Sequence, residues 1–130
     1  MFLILISKNT ICAGDSQGFL KIWDSKYGVL IKEFKEHTGD ILSIAGNSNA
    51  IYYTGCDSNI ISLQMVNEEW KLTSKYRGQS HDINSLILLN NNILLSGGLT
   101  TDICIYKLDK RRFIEKYAKK ANTSTIVFLN

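Results

Sequence analysis

Three stretches of this 130-residue chain lie over one another without a gap: "GDSQGFLKIWD" (14–24), "GCDSNIISLQM" (55–65) and "GGLTTDICIYK" (97–107). Their leading glycines, Gly14, Gly55 and Gly97, hold a nearly constant interval. The runs before them recur as "TICAG", "IYYTG" and "ILLSG". Phe34, Tyr76 and Tyr117 close the segments that follow at the same interval, to within one residue, and Asp40 and Asp82 repeat it. A chain with one period of about 40 residues must stack copies of one small unit, because a single unit cannot bury its own apolar face.

Each period holds four short apolar runs bounded by turn residues, with no amphipathic stretch of helical length between them. Four antiparallel strands per roughly 40–45 residues is the spacing of a β-propeller blade. Both faces of a blade pack on neighbours, which explains why "IYYTG" and "ILLSG" are nearly continuously apolar. The expected fold is all-β: a partial propeller with blades over 2–34, 41–76 and 83–117, and the first strand of a further blade over 124–129. Propellers close with about four to eight blades, so this chain is expected to need the rest of a propeller, or another chain, to cover its end faces.

Composition narrows the function classes. Hydrophobic content of 45% and charged content of 21% are those of a globular chain. Without proline, the turns fall to Asp, Asn, Ser and Gly. No apolar run approaches the roughly 20 residues of a membrane span, and "MFLILIS" is too short and lacks the basic flank of a secretion signal. Cys12, Cys56 and Cys104 fall in three different repeats, far wider than zinc-ligand spacing; they read as small apolar groups. His37 and His81 have no ligand cluster nearby. Asp15, Asp40, Asp57 and Asp82 fall at repeated turn positions, where aspartate bonds its own backbone. No nucleophile–base pair and no phosphate loop is present. The chain reads as non-catalytic, with no cofactor and no metal.

Gly14 to Asp24, ending in Trp23-Asp24, resembles the close of a WD repeat, and "EHTGDI" resembles the loop that opens the next one. That resemblance implies a hydrogen-bonded set of His, a second-strand Ser or Thr, Trp, and an Asp six residues before the Trp. The first repeat has Trp23 but Ala13 and Gln17. The second offers His37 and Thr54, with Ser58 and Gln64 at the Asp and Trp positions. The third has Ser96, Thr100 and Tyr106, with His81 two residues late and Gln79 in the usual His place. "GDSQGFLKIWDSKYG" is similar to the first propeller of cirhin-type components of the small-subunit processome, and "SHDINSLILLNNNILLSGGLTTDICIY" resembles their next blades. The resemblance covers roughly residues 10–107. It implies a scaffold in ribosomal small-subunit biogenesis, working in the nucleolus with other processome proteins, pre-rRNA or the U-three small nucleolar ribonucleoprotein. A cytoplasmic WD-repeat adaptor for protein–protein contacts is the alternative.

Two features are candidate contacts. Residues 107–120 carry a net charge of +5 while the rest of the chain is −2, so the basic field is local. Lys110, Arg111, Arg112, Lys116, Lys119 and Lys120 are the candidates for RNA. Trp70, at the start of an outer strand, is a candidate partner anchor. The remaining repeat positions (Gly14, Trp23, Asp24, His37, Asp40, Thr54, Gly55, His81, Asp82, Ser96, Gly97 and Tyr106) are expected to be structural.

Overall fold

The computed structural model describes residues 2–77, 82–98, 102–109 and 112–120, the last stretch as backbone. His81, Lys110, Arg111 and the strand expected over 124–129 lie outside the described residues. Among the described residues twelve strands form three sheets, each in simple meander order. Sheet one holds β1 (Phe2–Ser7), β2 (Thr10–Gly14), β3 (Phe19–Asp24) and β4 (Val29–Lys35). Sheet two holds β5 (Ile41–Gly46), β6 (Ala50–Gly55), β7 (Asn59–Val66) and β8 (Glu69–Arg77). Sheet three holds β9 (Ile83–Leu89), β10 (Ile93–Gly98), β11 (Asp102–Asp109) and β12 (Arg112–Lys120). Every pairing is antiparallel.

The core lies between sheets. β6 is buried along its whole length, and its alternation splits the side chains between two clusters. Ile51 and Tyr53 join Cys12, Leu20 and Ile22 of sheet one. Ala50 and Tyr52 join Leu94, Cys104 and Tyr106 of sheet three. Burying each large apolar side chain in these clusters is worth about 1.5–3 kcal/mol. Two buried hydroxyls tie sheets two and three: Thr54 Oγ1 donates to Ile83 O at 3.0 Å, and Ser43 Oγ accepts from Leu86 N at 3.0 Å. The outer strand β4 is largely exposed, as befits a rim.

The structure corrects the gap-free alignment. Each β2–β3-type hairpin is closed by one equivalent bond: Ser25 N to Asn9 O, Met65 N to Asn49 O, and Leu108 N to Asn92 O. From Asn9 to Asn49 the step is one residue shorter than that between Gly14 and Gly55; from Asn49 to Asn92 it is one residue longer than that between Gly55 and Gly97. Likewise Trp23 faces Ile11, Leu63 faces Ile51, and Tyr106 faces Leu94 across the ladders. Sheet two is therefore one residue out of step with the sequence overlay, and one residue moves every side chain to the other face. Leu20 and Ile22, which look like copies of Ile61 and Leu63, are in fact packed with them in one cluster. They are the two sides of a single junction.

Candidate functional site

The correction re-reads the polar set. His37 lies between β4 and β5 and is only 2% exposed. Its Nδ1 is 2.7 Å from Asp57 Oδ1, and its ring stands edge-on to Tyr53, 5.3 Å between centroids. Asp57 also accepts from Asn59 N at 3.2 Å, holding the β6–β7 turn. The carboxylate bonded to His37 is thus Asp57, where Ser58 was expected. With Leu63 as the equivalent of Trp23, Asp57 stands six residues before it. Gln64 is displaced from the Trp position in the same way. Thr54 does not reach His37; it serves Ile83, and Tyr53 takes the place expected for a hydroxyl residue.

Sheet three keeps a different part. Ser96 Oγ and Tyr106 Oη are 3.1 Å apart, and Tyr106 meets Tyr76 edge-on at 5.6 Å. The tyrosine hydroxyl stands where an indole would as the serine's partner, and either oxygen of the pair can donate. Sheet one keeps Trp23 beside Ala13. Asp24 Oδ1 caps its own turn through Lys26 N at 2.8 Å and Tyr27 N at 3.2 Å, and Asp15 does the same for Gln17 N and Phe19 N. These are turn roles, as the repeat positions imply. Asp40 acts through its backbone, whose carbonyl accepts from Cys56 N at 3.2 Å.

Trp70 is a correction. It is 3% exposed and packs in the cluster between sheets one and two, because β8 turns that side chain inward while its neighbours stay exposed. It is a core group and not an exposed anchor. Arg112, Lys116, Lys119 and Lys120 fall on β12, opposite Asp109, Tyr106, Ile103 and Asp102 respectively.

Burial sets the protonation of three groups. It pushes the Cys12 thiol from its ordinary 9.0 up to about 12, and it raises the Tyr53 and Tyr106 phenols above their ordinary 10.0. The unfolded chain releases these protons near their ordinary values while the folded chain keeps them. The stability they contribute is therefore complete below about pH 9 and falls as pH rises through the folded values. Urea midpoints are expected to hold from pH 8 to about pH 9 and to fall from there to pH 10.5, and Cys12→Ala is expected to flatten part of that slope. An unchanged slope in the variant would remove Cys12 from the account.

The structure gives residue detail to one of the end faces expected from the sequence, that of sheet one. Two rows cross its strands: Leu5–Ile11–Trp23–Leu30 and Leu3–Ala13–Lys21–Glu33. Leu3 is 61% and Leu5 64% exposed, and a hollow of about 260 Å³ opens between Leu3, Ala13, Lys21 and Trp23. The signal was present in "MFLILIS", where every residue from Met1 to Ile6 is apolar, so both faces of β1 are written for burial.

This three-sheet stack has clear counterparts among solved structures. It overlays the structure of U3-55K with a TM-score of 0.74 at 12% identity, covering 89% of this chain and 35% of that one. It overlays the WD40 β-propeller domain of Doa1 with a TM-score of 0.72 at 17% identity, covering 89% and 39%. By its fold the chain is a WD-repeat β-propeller. No family model matches it. Among curated proteins this WD-repeat chain is 30% identical over 114 residues to the U3 small nucleolar RNA-associated protein 4 of Schizosaccharomyces pombe, across 82% of the chain. It is 25% identical over 121 residues to the mouse homologue, across 86% of the chain. The Saccharomyces cerevisiae protein of that name is 27% identical over 109 residues. The chain spans 16%, 18% and 14% of these relatives' lengths, respectively. The cirhin-type likeness read from the residues and these relatives agree.

In WD-repeat terms the four-residue set is divided among the sheets: His and Asp in sheet two, hydroxyl and aromatic in sheet three, Trp in sheet one. Each surviving pair gives one buried polar atom its partner, His37 Nδ1 in the first case and Ser96 Oγ in the second. The His37 ring is sealed from solvent, and its contact with Asp57 ties the link before β5 to the β6–β7 turn.

Proposed function

We propose that this chain is part of a non-catalytic WD-repeat scaffold in the assembly of the small ribosomal subunit, acting within the processome in the nucleolus. The supporting observation is the likeness to U3 small nucleolar RNA-associated protein 4, which runs through all three sheets. Among the described residues, His37 and Asp57 are engaged with each other, and Asp15 and Asp40 serve turns and links. Its partners are other processome proteins and the pre-rRNA or the U3 ribonucleoprotein. Its blades, at about 2–34, 41–76 and 83–117 with a further one beginning at 124–129, belong to a propeller closed by blades outside this stretch or by another chain.

Imaging the tagged protein tests the reading against that of a cytoplasmic adaptor. Nucleolar signal with co-purified U3 RNA is expected; diffuse cytoplasmic signal without that RNA would refute it. Direct RNA contact is assigned to Lys110, Arg111, Arg112, Lys116, Lys119 and Lys120, on the strength of the local charge. Replacing Lys110, Arg111 and Arg112 together with Ala is expected to reduce ultraviolet crosslinking to RNA. It should also flatten the salt dependence of binding by roughly 0.7 log units for each single-strand phosphate no longer neutralised. Unchanged crosslinking would remove this segment from the interface.

A further inference from the structure

The open face of sheet one differs from its counterparts in one respect. By the corrected register, Ile61 and Cys104 occupy the place of Lys21 on sheets two and three, at 0% and 1% exposure. Both are sealed beneath the preceding sheet. Leu3, Ile11 and Trp23 likewise correspond to Ile44, Ile51 and Leu63, all buried in the first junction. Sheet one thus presents the same surface that its neighbours bury, with a cation set into it.

The two junctions inside the chain show what covers such a face: the opposite side of another four-stranded sheet, supplying an aliphatic row. The cation adds a requirement. Among the described residues Lys21 forms no ion pair. Its Nζ lies 5.7 Å from the centre of the Phe19 ring, which also carries Lys35 Nζ at 4.8 Å. Asp15, at the rim, feels its charge, and Glu33 stands opposite it on β4. Sealing an ammonium group under a sheet without a partner is strongly unfavourable.

We propose that the open face of sheet one docks a further β-propeller blade whose facing surface combines an aliphatic row with an Asp or Glu carboxylate set against Lys21. The proposal rests on the closure reading given above and adds the charge that selects the closing blade. A second copy of this chain fits less well. The corresponding positions on the far side of β10 and β11 are Leu95, Ile103 and Ile105, which would oppose Lys21 with an aliphatic row and no carboxylate of their own. The cation also guards against wrong pairing, since an all-apolar face would accept any blade.

The test uses the native assembly purified from its own cells, treated in one aliquot with an amine-acylating reagent and in another with a carbodiimide. A carbodiimide joins only amines and carboxylates already in contact. Lys21 is expected to acylate at least tenfold more slowly than Lys26, an exposed turn lysine. It is also expected to yield an amide-linked peptide with an Asp or Glu outside residues 1–130. If Lys21 is protected but links to Glu33 or Asp15, or to nothing, the face is closed without the proposed carboxylate and the proposal fails alone. If Lys21 acylates as fast as Lys26, the face is open and the closure reading fails with it. A link to a second copy of residues 1–130, or ultraviolet crosslinking of Trp23 to RNA, would overturn the proposed occupant.

Discussion

Gly55→Ala is expected to lower the stability of the chain by about 3 kcal/mol, near the upper end of what overpacking a tight site costs. A β-carbon at Gly55 would stand 2.8 Å from the His37 ring and 2.9 Å from the Asp40 carbonyl oxygen. Neither can retreat cheaply. Moving the ring breaks its 2.7 Å contact with Asp57 and its edge-on packing on Tyr53; moving the carbonyl disturbs the link that enters β5. Gly28→Ala is the control. Gly28 has a positive φ of 67°, but nothing lies within 4 Å of an added β-carbon, so only the backbone strain of about 1 kcal/mol applies. Urea titrations of both variants test the difference. His37→Ala should be strongly non-additive with Gly55→Ala, because both act on one contact. Equal losses at Gly55 and Gly28 would mean that crowding at His37 is not the cause.

The second large effect separates the two faces of β6. Tyr53→Ala and Tyr52→Ala are each expected to cost about 3–5 kcal/mol, as aromatic-to-alanine changes in a core do. They empty different junctions, and each junction contains one buried cysteine. Cys12 lies in the cluster of Tyr53, and Cys104 in that of Tyr52. Thiol labelling below the unfolding transition, followed by peptide mapping, should show Cys12 gaining reactivity in Tyr53→Ala. Cys104 should gain it in Tyr52→Ala. Cys56 is exposed and should label in every variant. The reverse pattern would restore the gap-free overlay, in which Tyr53 and Cys12 occupy the same place in successive units.

That contrast shows what the sequence could reveal. The period, the four strands per unit and the all-β class were legible, because apolar alternation and turn residues are local signals. Register was not. Leu20 and Ile22 resemble Ile61 and Leu63 as letters, yet they meet across a junction, and no one-dimensional overlay distinguishes two copies from two mating surfaces. The hydrogen-bonded set failed for the same reason: a one-residue offset assigned Ser58 and Gln64 where Asp57 and Leu63 stand. Asp57 could have been found by asking which carboxylate begins a turn within reach of His37, since Asp57 serves the turn and the histidine together. Trp70 was misjudged because outer strands are usually half-exposed, whereas β8 buries its second residue and leaves most others in solvent.

The placement of the core between sheets has a consequence for how stability is divided along the chain. Neither cluster belongs to any one sheet, so an isolated repeat would hold almost no cohesion of its own. Three repeats contain two cohesive units, and each added repeat contributes one more, as in a one-dimensional chain of nearest neighbours. Deleting sheet three would remove the second unit and strip one side of the middle sheet. Deleting sheet two would leave none. The middle repeat is therefore the one whose loss is expected to abolish folding, though it carries neither tryptophan-aspartate pair nor basic segment.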